Sequence, residues 1–184
     1  MAAQKLSTTT LIIVISLSAV ILAGTGISIW LGVTYTPPLV NTDHPDQDWE
    51  FMVTGLVDGG DFNISIQELL NMPQHSEMYE ILSDPPYTAN FTGVQIKYLF
   101  DNVIDIDPSA TTVTVIAYDG YAWAFSIADI GNNESNILAH SKDGQYMENY
   151  PSGNGYLRLI IPSSGPDDFN SQYCVKNVVE LRFT

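Results

Sequence analysis

Few residues in this sequence have the type and spacing that catalysis or metal binding requires. The chain contains one cysteine, Cys174, and three histidines. A single cysteine excludes a disulfide framework within the chain and any cysteine-rich zinc or iron–sulfur site. Cys174 lies in an apolar segment, so core packing is favoured over a reactive or metal-ligating thiol. No metal-ligand spacing joins His75 to His140, so we expect solvated or packed imidazoles at both positions.

Other chemical signatures are weak. The sequence contains no Ser-His-Asp signature, no G-x-S-x-G and no H-E-x-x-H. The glycine pair at 153–155 has no helix after it, which argues against a phosphate-binding loop. Acidic residues occur in small groups, such as Asp101, Asp105 and Asp107, but none has the spacing of a calcium loop. Solvated surface carboxylates are favoured there, and calcium binding is kept as a lesser hypothesis.

Charge and composition limit the possible functions. The 184 residues include 6 Lys+Arg against 21 Asp+Glu, which gives a formal net charge of -15. Nucleic-acid binders need clustered Lys and Arg to replace phosphate counterions, so unaided nucleic-acid binding is excluded as a working hypothesis. A hydrophobic content of 45% is enough to bury a core, and the length suits one domain with an appendage.

The secondary structure that must position these residues is predicted to consist mainly of short strands. Asp119-Gly120 and Asp143-Gly144 are hairpin turn signals, and Ser65 with Glu68 has the spacing of a helix capping box. Apolar patterning predicts a helix over 94–103 and strands over 49–56, 62–64, 78–82, 112–118, 121–125, 137–147, 156–161 and 173–183. Because no regular βαβ alternation is present, the predicted class is β-rich α+β.

A long apolar segment precedes this region. Residues 11–33 contain no charge, and at about 1.5 Å per residue a helix of this length crosses a hydrocarbon core of roughly 30 Å. A cleaved signal peptide is the alternative, but the apolar run is long and no convincing cleavage site ends it. We therefore predict a cytoplasmic segment 1–10, a transmembrane anchor 11–33, an acidic, proline-rich stalk 34–48 and a folded domain 49–184.

The distribution of charge gives an orientation for this anchor. Lys5 precedes the apolar segment, whereas all 21 acidic residues follow it. The positive-inside rule then places the N-terminus in the cytoplasm and residues 34–184 outside the cell membrane. Three N-glycosylation sequons, at Asn63, Asn90 and Asn133, agree with that placement, although each is a short pattern that also suits an ordinary polar turn.

The order of several segments resembles the sulfite-oxidase-type molybdopterin-binding domain. The similar segments are W-E-F-M-V-T-G-L-V-D (49–58) with I-S-I-Q-E-L (64–69), F-T-G-V-Q-I-K-Y-L-F (91–100), V-T-V-I-A-Y-D-G-Y (113–121), I-L-A-H-S-K-D-G-Q-Y-M (137–147), G-Y-L-R-L-I-I-P (155–162) and Y-C-V-K-N-V-V-E-L-R-F (173–183). The resemblance spans nearly all of 49–184 and implies that fold for the folded domain.

The chemistry that this resemblance implies is incomplete here. In that family, molybdenum is held by the pterin dithiolene and by one protein cysteine that precedes the W-T-G-V element. The matching stretch, 79–88, contains no cysteine, and Ser83 is the nearest match, whereas the family's site uses a soft thiolate. The cofactor pocket that the resemblance implies comprises Tyr87, Thr92, Gly93, Asp119, Gly120, Tyr121 and His140.

Cations are also few for such a site. The cofactor's phosphate and anionic substrates need Arg, Lys or His donors. Arg158 and Lys176 match framework positions of the family, so a structural role is favoured for both. The field of 21 carboxylates repels anionic substrates. We therefore expect a family member that has lost its molybdenum site and binds no cofactor.

Three hypotheses follow. The first is a membrane-anchored, extracytoplasmic and non-catalytic module that binds or assembles with another membrane or surface protein. The second is a molybdopterin-dependent oxidoreductase that uses Ser83 or Cys174 as metal ligand. It predicts a pterin-sized pocket near 87–93 and 119–121, lined by at least two cations. The third is a structural cell-surface protein.

Overall fold

Two five-stranded sheets form the frame of the domain. The computed structural model describes residues 49–147 and 156–184. The strands are β1 (Glu50–Thr54), β2 (Phe62–Ser65), β3 (His75–Ile81), β4 (Tyr87–Gln95), β5 (Thr112–Ala117), β6 (Ala122–Ser126), β7 (Ile137–Lys142), β8 (Gln145–Tyr146), β9 (Arg158–Ile160) and β10 (Val178–Phe183). The α-helices are α1 (Ile66–Asn71), α2 (Ile96–Asn102) and α3 (Ile127–Gly131), and 3₁₀ turns occupy Val57–Gly59 and Asn170–Gln172.

The N-terminal predictions lie outside these residues. The cytoplasmic segment 1–10, the membrane anchor 11–33 and the stalk 34–48 all precede residue 49. Among the helices of the described part of the chain, none is long and apolar enough to cross a membrane.

The strand order brings distant parts of the chain together. The first sheet has the order β2-β1-β10-β5-β6, in which β1 and β10 are parallel and the other pairs are antiparallel. The second sheet has the order β3-β4-β7-β8, and β9 also pairs with β7. Each sheet therefore pairs strands that are far apart in the sequence, such as β1 with β10 and β4 with β7.

Two apolar clusters cover both faces of the second sheet. The first contains inward residues of both sheets, such as Val115 on β5 and Leu138 on β7. The second contains Ile137 and Ala139 of β7 together with Cys174. Because neighbouring residues of a strand point to opposite faces, β7 is buried on both sides.

Local signals in the sequence agree with the structure. The Ser65 side chain accepts a bond from the backbone N–H of Glu68, whose carboxylate accepts one from the N–H of Ser65, so the capping box forms. Asp143 and Gly144 have φ angles of 52° and 78°, as the two-residue turn between β7 and β8 requires. Gly120 in the turn between β5 and β6 has a φ of 86°.

Long-range pairing overrides the sequence pattern elsewhere. The longest strand, β4 (Tyr87–Gln95), was not predicted, because it is largely buried and a bulge at Thr92/Gly93 interrupts its alternation. The helix predicted over 94–103 is shorter, and Val94 belongs to the strand. The closing strand predicted over 173–183 begins only at Val178, after a residue with positive φ at Asn177.

Candidate anion-binding site

A buried arginine lies at the centre of the site. Arg158 begins β9, where it pairs with Ala139 of β7, and its side chain is only 1% exposed. Its Nη1 donates a 2.6 Å hydrogen bond to the phenolic oxygen of Tyr87, and its guanidinium carbon lies 5.7 Å from the centre of the Phe91 ring. Guanidinium groups remain charged in proteins, so a full positive charge is held inside the domain.

A lysine contacts the same tyrosine. Lys142 ends β7, and its Nζ lies 4.7 Å from the centre of the Tyr87 ring. Two hydrogen bonds hold the turn after Lys142 against β4. The backbone N–H of Asp143 donates to the carbonyl of Asn90 at 2.7 Å, and the Asp143 carboxylate accepts from the N–H of Asn90 at 3.0 Å. The position of Lys142 above Tyr87 therefore follows from strand pairing.

Lys176 is the third cation. Its backbone forms an isolated bridge with Arg158, next to β9. Partial burial lowers the pKa of the Lys176 ammonium, and the positive charges of Arg158 and Lys142 lower it further. The Arg158–Lys176 bridge and the shared contacts of Arg158 and Lys142 with Tyr87 place the three cations in one region of the domain.

This convergence is unusual in so acidic a chain. The described residues contain five Lys and Arg side chains. Two of them make surface ion pairs, Lys97 with Asp101 and Arg182 with Glu180. Within 49–147 and 156–184, neither Lys142 nor Lys176 forms an ion pair with a carboxylate. Of the remaining three cations, Arg158 and Lys142 contact Tyr87, and Lys176 lies next to Arg158.

A cavity opens beside Lys176. It has a volume of about 220 Å³, between the turn that joins β5 to β6 and the segment 171–176. The phenol of Tyr121 donates to the carbonyl of Gln172 and ties these walls together. The lining residues are Ala117, Asp119, Tyr121, Ser171, Gln172, Cys174, Val175 and Lys176.

Some of the residues predicted for a cofactor pocket lie beside the cations or beside the cavity. Tyr87 contacts Lys142 and Arg158, whereas Asp119 and Tyr121 line the cavity, and Gly120 forms the turn between them. Lys176 belongs to both the cation group and the cavity wall.

The other predicted pocket residues have structural contacts in the second sheet. Thr92 is 3% exposed and donates to the Ser76 hydroxyl at 2.9 Å. A Cβ on Gly93 would lie 2.2 Å from the carbonyl oxygen of Leu138, so only glycine allows β4 and β7 to approach so closely. His140 is 4% exposed, with Nε2 2.8 Å from the side-chain oxygen of Gln74 and its ring 5.6 Å from that of Tyr146.

The two proposed molybdenum ligands are engaged otherwise. Ser83 donates its hydroxyl to the carbonyl of Pro85 at 2.7 Å. Cys174 is 1% exposed, and its thiol lies 3.4 Å from the backbone N–H and 3.5 Å from the carbonyl of Ile161. Burial raises the pKa of the Cys174 thiol, against smaller opposing effects of the Ile161 N–H and Arg158. This donor set does not fit a molybdenum site, which needs an accessible thiolate.

A buried asparagine that the sequence did not single out holds one wall of this region. Asn170 is 0% exposed. Its side chain accepts from the N–H of Leu82 and donates to the carbonyls of Glu80 and Ile161. No local pattern signals these contacts, because the partners lie 88 and 90 residues away.

The remaining sequence candidates lie on the surface. Asn63 and Asn133 are exposed, and Asn90 is half-buried in β4. In the described ranges, no group of three or more His, Cys, Asp or Glu side chains could hold a metal ion.

Comparison with known proteins finds a solved structure that shares this fold. No family model and no curated protein matches the sequence. Among solved structures, the sulfane dehydrogenase SoxCD from Paracoccus pantotrophus matches 75% of this chain with a TM-score of 0.62 and 16% identity. This chain shares its fold with part of SoxCD. The match covers 38% of the SoxCD chain, and at this identity it concerns the fold alone.

Proposed function

We propose that residues 49–184 form a non-catalytic binding module that holds a small anion between Tyr87, Lys142, Arg158 and Lys176. The observation that carries this proposal is that Arg158 and Lys142 contact Tyr87 and Lys176 is bridged to Arg158, in a chain of net charge -15. Gathering like charges raises the free energy of the fold, and a bound anion would offset that repulsion.

The cavity beside Lys176, which is the only one of these four residues that lines it, limits the size of a ligand that enters from that side. Its volume of about 220 Å³ is below the roughly 300–1,000 Å³ of pockets that enclose cofactor-sized molecules. An inorganic oxyanion or a single carboxylate, sulfonate or phosphate group suits this space better than a whole pterin. Arg and Lys donors are the usual partners of such groups.

The contacts of Cys174 and Ser83 support a non-catalytic role. A thiolate ligand requires exposure and a lowered pKa, whereas the Cys174 thiol is buried with a raised pKa. Ser83 already donates to a backbone carbonyl. The module would then retain the fold that it shares with a dehydrogenase without that kind of chemistry.

Calorimetric titration of the full chain in detergent with sodium sulfate, and separately with sodium phosphate, tests this site. We expect saturable binding that Lys142→Gln weakens at least tenfold. Lys97→Gln is the matched control, because Lys97 is paired with Asp101 and belongs to a different surface. Absence of binding to both anions, or equal loss in the two variants, would exclude the proposed site.

A molybdopterin-dependent oxidoreductase is the second candidate function. It is supported by cations near both segments that the hypothesis names, because Lys142 and Arg158 contact Tyr87 and Lys176 lines the cavity beside the 119–121 turn, although that cavity is smaller than the expected pterin pocket. Metal analysis by mass spectrometry would decide, on full chain produced in a host that makes the molybdenum cofactor. About one molybdenum per chain would replace the binding-module proposal, whereas a folded protein without molybdenum would support it.

We further propose that segment 11–33 anchors the module in a cell membrane, with residues 34–184 outside and a second membrane or surface protein as the natural partner. The position of Lys5 before the segment and of all 21 acidic residues after it supports this orientation. Protease added to intact cells should digest the stalk 34–48 and release the domain. Protection of the whole chain until the cells are lysed would contradict the orientation.

A further inference from the structure

The outer strand of the first sheet is exposed and carries no charge. Strand β6 has the sequence Ala-Trp-Ala-Phe-Ser and ends the order β2-β1-β10-β5-β6. Four of its five side chains are exposed, and Phe125 is half-buried. Natural edge strands usually carry Lys, Pro or a bulge that prevents pairing with another chain, and β6 has none of these.

The backbone of β6 is oriented for pairing on its outer side. The N–H of Ala117 donates to the carbonyl of Tyr121 at 2.8 Å, which makes this a hydrogen-bonded pair at the start of the β5–β6 hairpin. Hydrogen-bonded and non-bonded pairs alternate in antiparallel strands, so Trp123 and Phe125 direct their backbone groups toward β5. The N–H and C=O groups of Ala122 and Ala124 and the N–H of Ser126 therefore point outward, whereas the C=O of Ser126 caps the following helix. In the described part of the chain, no further strand pairs with them.

The aromatic side chains of β6 lie at the margin of the core. Trp123 is opposite Val115 and Phe125 is opposite Val113, so both rings are on the inner face of the sheet. They contact the ring of Tyr173, with ring centres 6.0 Å and 6.5 Å apart. Trp123 nevertheless remains 36% exposed, so this margin of the inner face is only partly covered.

We infer that β6 pairs with β6 of a second copy of this chain, antiparallel and about a two-fold axis at Ala124. The five residues alternate small, aromatic, small, aromatic, small, so this axis brings Trp123 opposite Phe125 of the partner subunit. Opposed aromatic side chains on one face stabilise a strand pair. The five-stranded first sheets of the two copies then form one sheet of ten strands, and its inner face is continuous across the two-fold axis.

Charge restricts where two copies of this chain can meet. Two chains of net charge -15 repel each other over most of their surfaces. A strand of five uncharged residues is a place where identical copies meet without opposing like charges. The contact is short, so we expect a weak dimer that forms at about 10–100 μM protein.

Charge reversal at the axis tests this inference. Sedimentation velocity of the full chain in detergent at about 100 μM should show a dimer, and both Ala124→Lys and Ala124→Glu should be monomeric, since each places like charges opposite one another. A 1:1 mixture of the two variants should restore the dimer. Met78→Lys is the control, because it adds the same charge to an exposed position on β3, the edge of the other sheet.

The outcomes are distinct. Loss of the dimer in both variants with recovery in the mixture establishes the pairing and its register, because only position 124 faces itself across the proposed axis. A monomeric wild-type chain overturns the inference. A dimer that persists in Ala124→Lys also overturns it and assigns self-association to another segment. Circular dichroism spectra that match the wild type exclude misfolding of the variants.

Discussion

The phenol oxygen of Tyr87 accepts a 2.6 Å hydrogen bond from the guanidinium of Arg158, while its ring faces the ammonium of Lys142 at 4.7 Å. One aromatic residue at the start of β4 thus contacts cations contributed by β7 and β9. Because β9 also pairs with β7, three segments that are distant in sequence meet at this side chain.

Tyr87→Phe should destabilise the fold without removing the aromatic contact of Lys142. The variant leaves a donor of the buried Arg158 without its acceptor, and we expect a loss of about 1–3 kcal/mol in the free energy of unfolding. Urea denaturation measures this loss. Tyr98→Phe is the control, because Tyr98 is also half-buried but its hydroxyl makes no hydrogen bond within the described residues. Equal stability of Tyr87→Phe and wild type would show that the guanidinium is satisfied without Tyr87.

The lowered pKa of Lys176 predicts a dependence of stability on pH. Between its folded-state pKa and the ordinary value of 10.5, the unfolded chain binds more protons at this residue, so stability should rise with pH across that window. Lys176→Gln should remove this rise and should leave the protein at pH 7 at least as stable as wild type. Urea denaturation at several pH values below 10.5 measures both effects.

Lys97 should behave in the opposite way. The hydrogen bond to Asp101 and its charge raise the pKa of the Lys97 ammonium, so the contribution of this residue is present at lower pH and is lost as pH rises through the raised value. Lys97→Gln should therefore not increase stability at pH 7. If the two lysine variants respond identically to pH, repulsion among Lys142, Arg158 and Lys176 is not the cause.

Cys174 should be chemically inert in the folded protein. Burial raises the pKa of its thiol, and its side chain is 1% exposed, so the reactive thiolate is both scarce and inaccessible. Labelling with an aromatic disulfide reagent at pH 8 should proceed at least a hundredfold more slowly in native protein than in urea. Rapid labelling of the native chain would contradict this environment and would reopen Cys174 as a metal ligand.

Gly93→Ala should severely destabilise the second sheet. The added Cβ would lie 2.2 Å from the carbonyl oxygen of Leu138 and 2.4 Å from the Cα of Ala139, and backbone atoms cannot move aside as a flexible side chain can. We expect a loss of about 3 kcal/mol or more, or failure to fold. Gly165→Ala, where the Cβ meets nothing within 4 Å, should change stability little. Thermal unfolding of the two variants separates these outcomes.

The sequence predicted best those features whose cause is local. The turn at Asp143-Gly144 and the capping box of Ser65 with Glu68 depend on a few neighbouring residues, and both were predicted correctly. The strand predicted over 112–118 beside the Asp119-Gly120 turn is likewise present as β5 (Thr112–Ala117). The resemblance in segment order implied a fold of this kind, and the match to part of SoxCD supports it at the level of fold.

Only the tertiary structure determined which residues share a site. Strand β4 escaped prediction because a bulge at Thr92/Gly93 interrupts its alternation and residues 91–94 are all buried. The approach of Lys142, Arg158 and Lys176 depends on the pairing of β7 with β9 and on the Arg158–Lys176 bridge. Thr92, Gly93 and His140 make long-range contacts that no local pattern signals, and their membership of a cofactor pocket stays a prediction. Sheet register joins residues far apart in the chain, and no property of the local sequence encodes that distance.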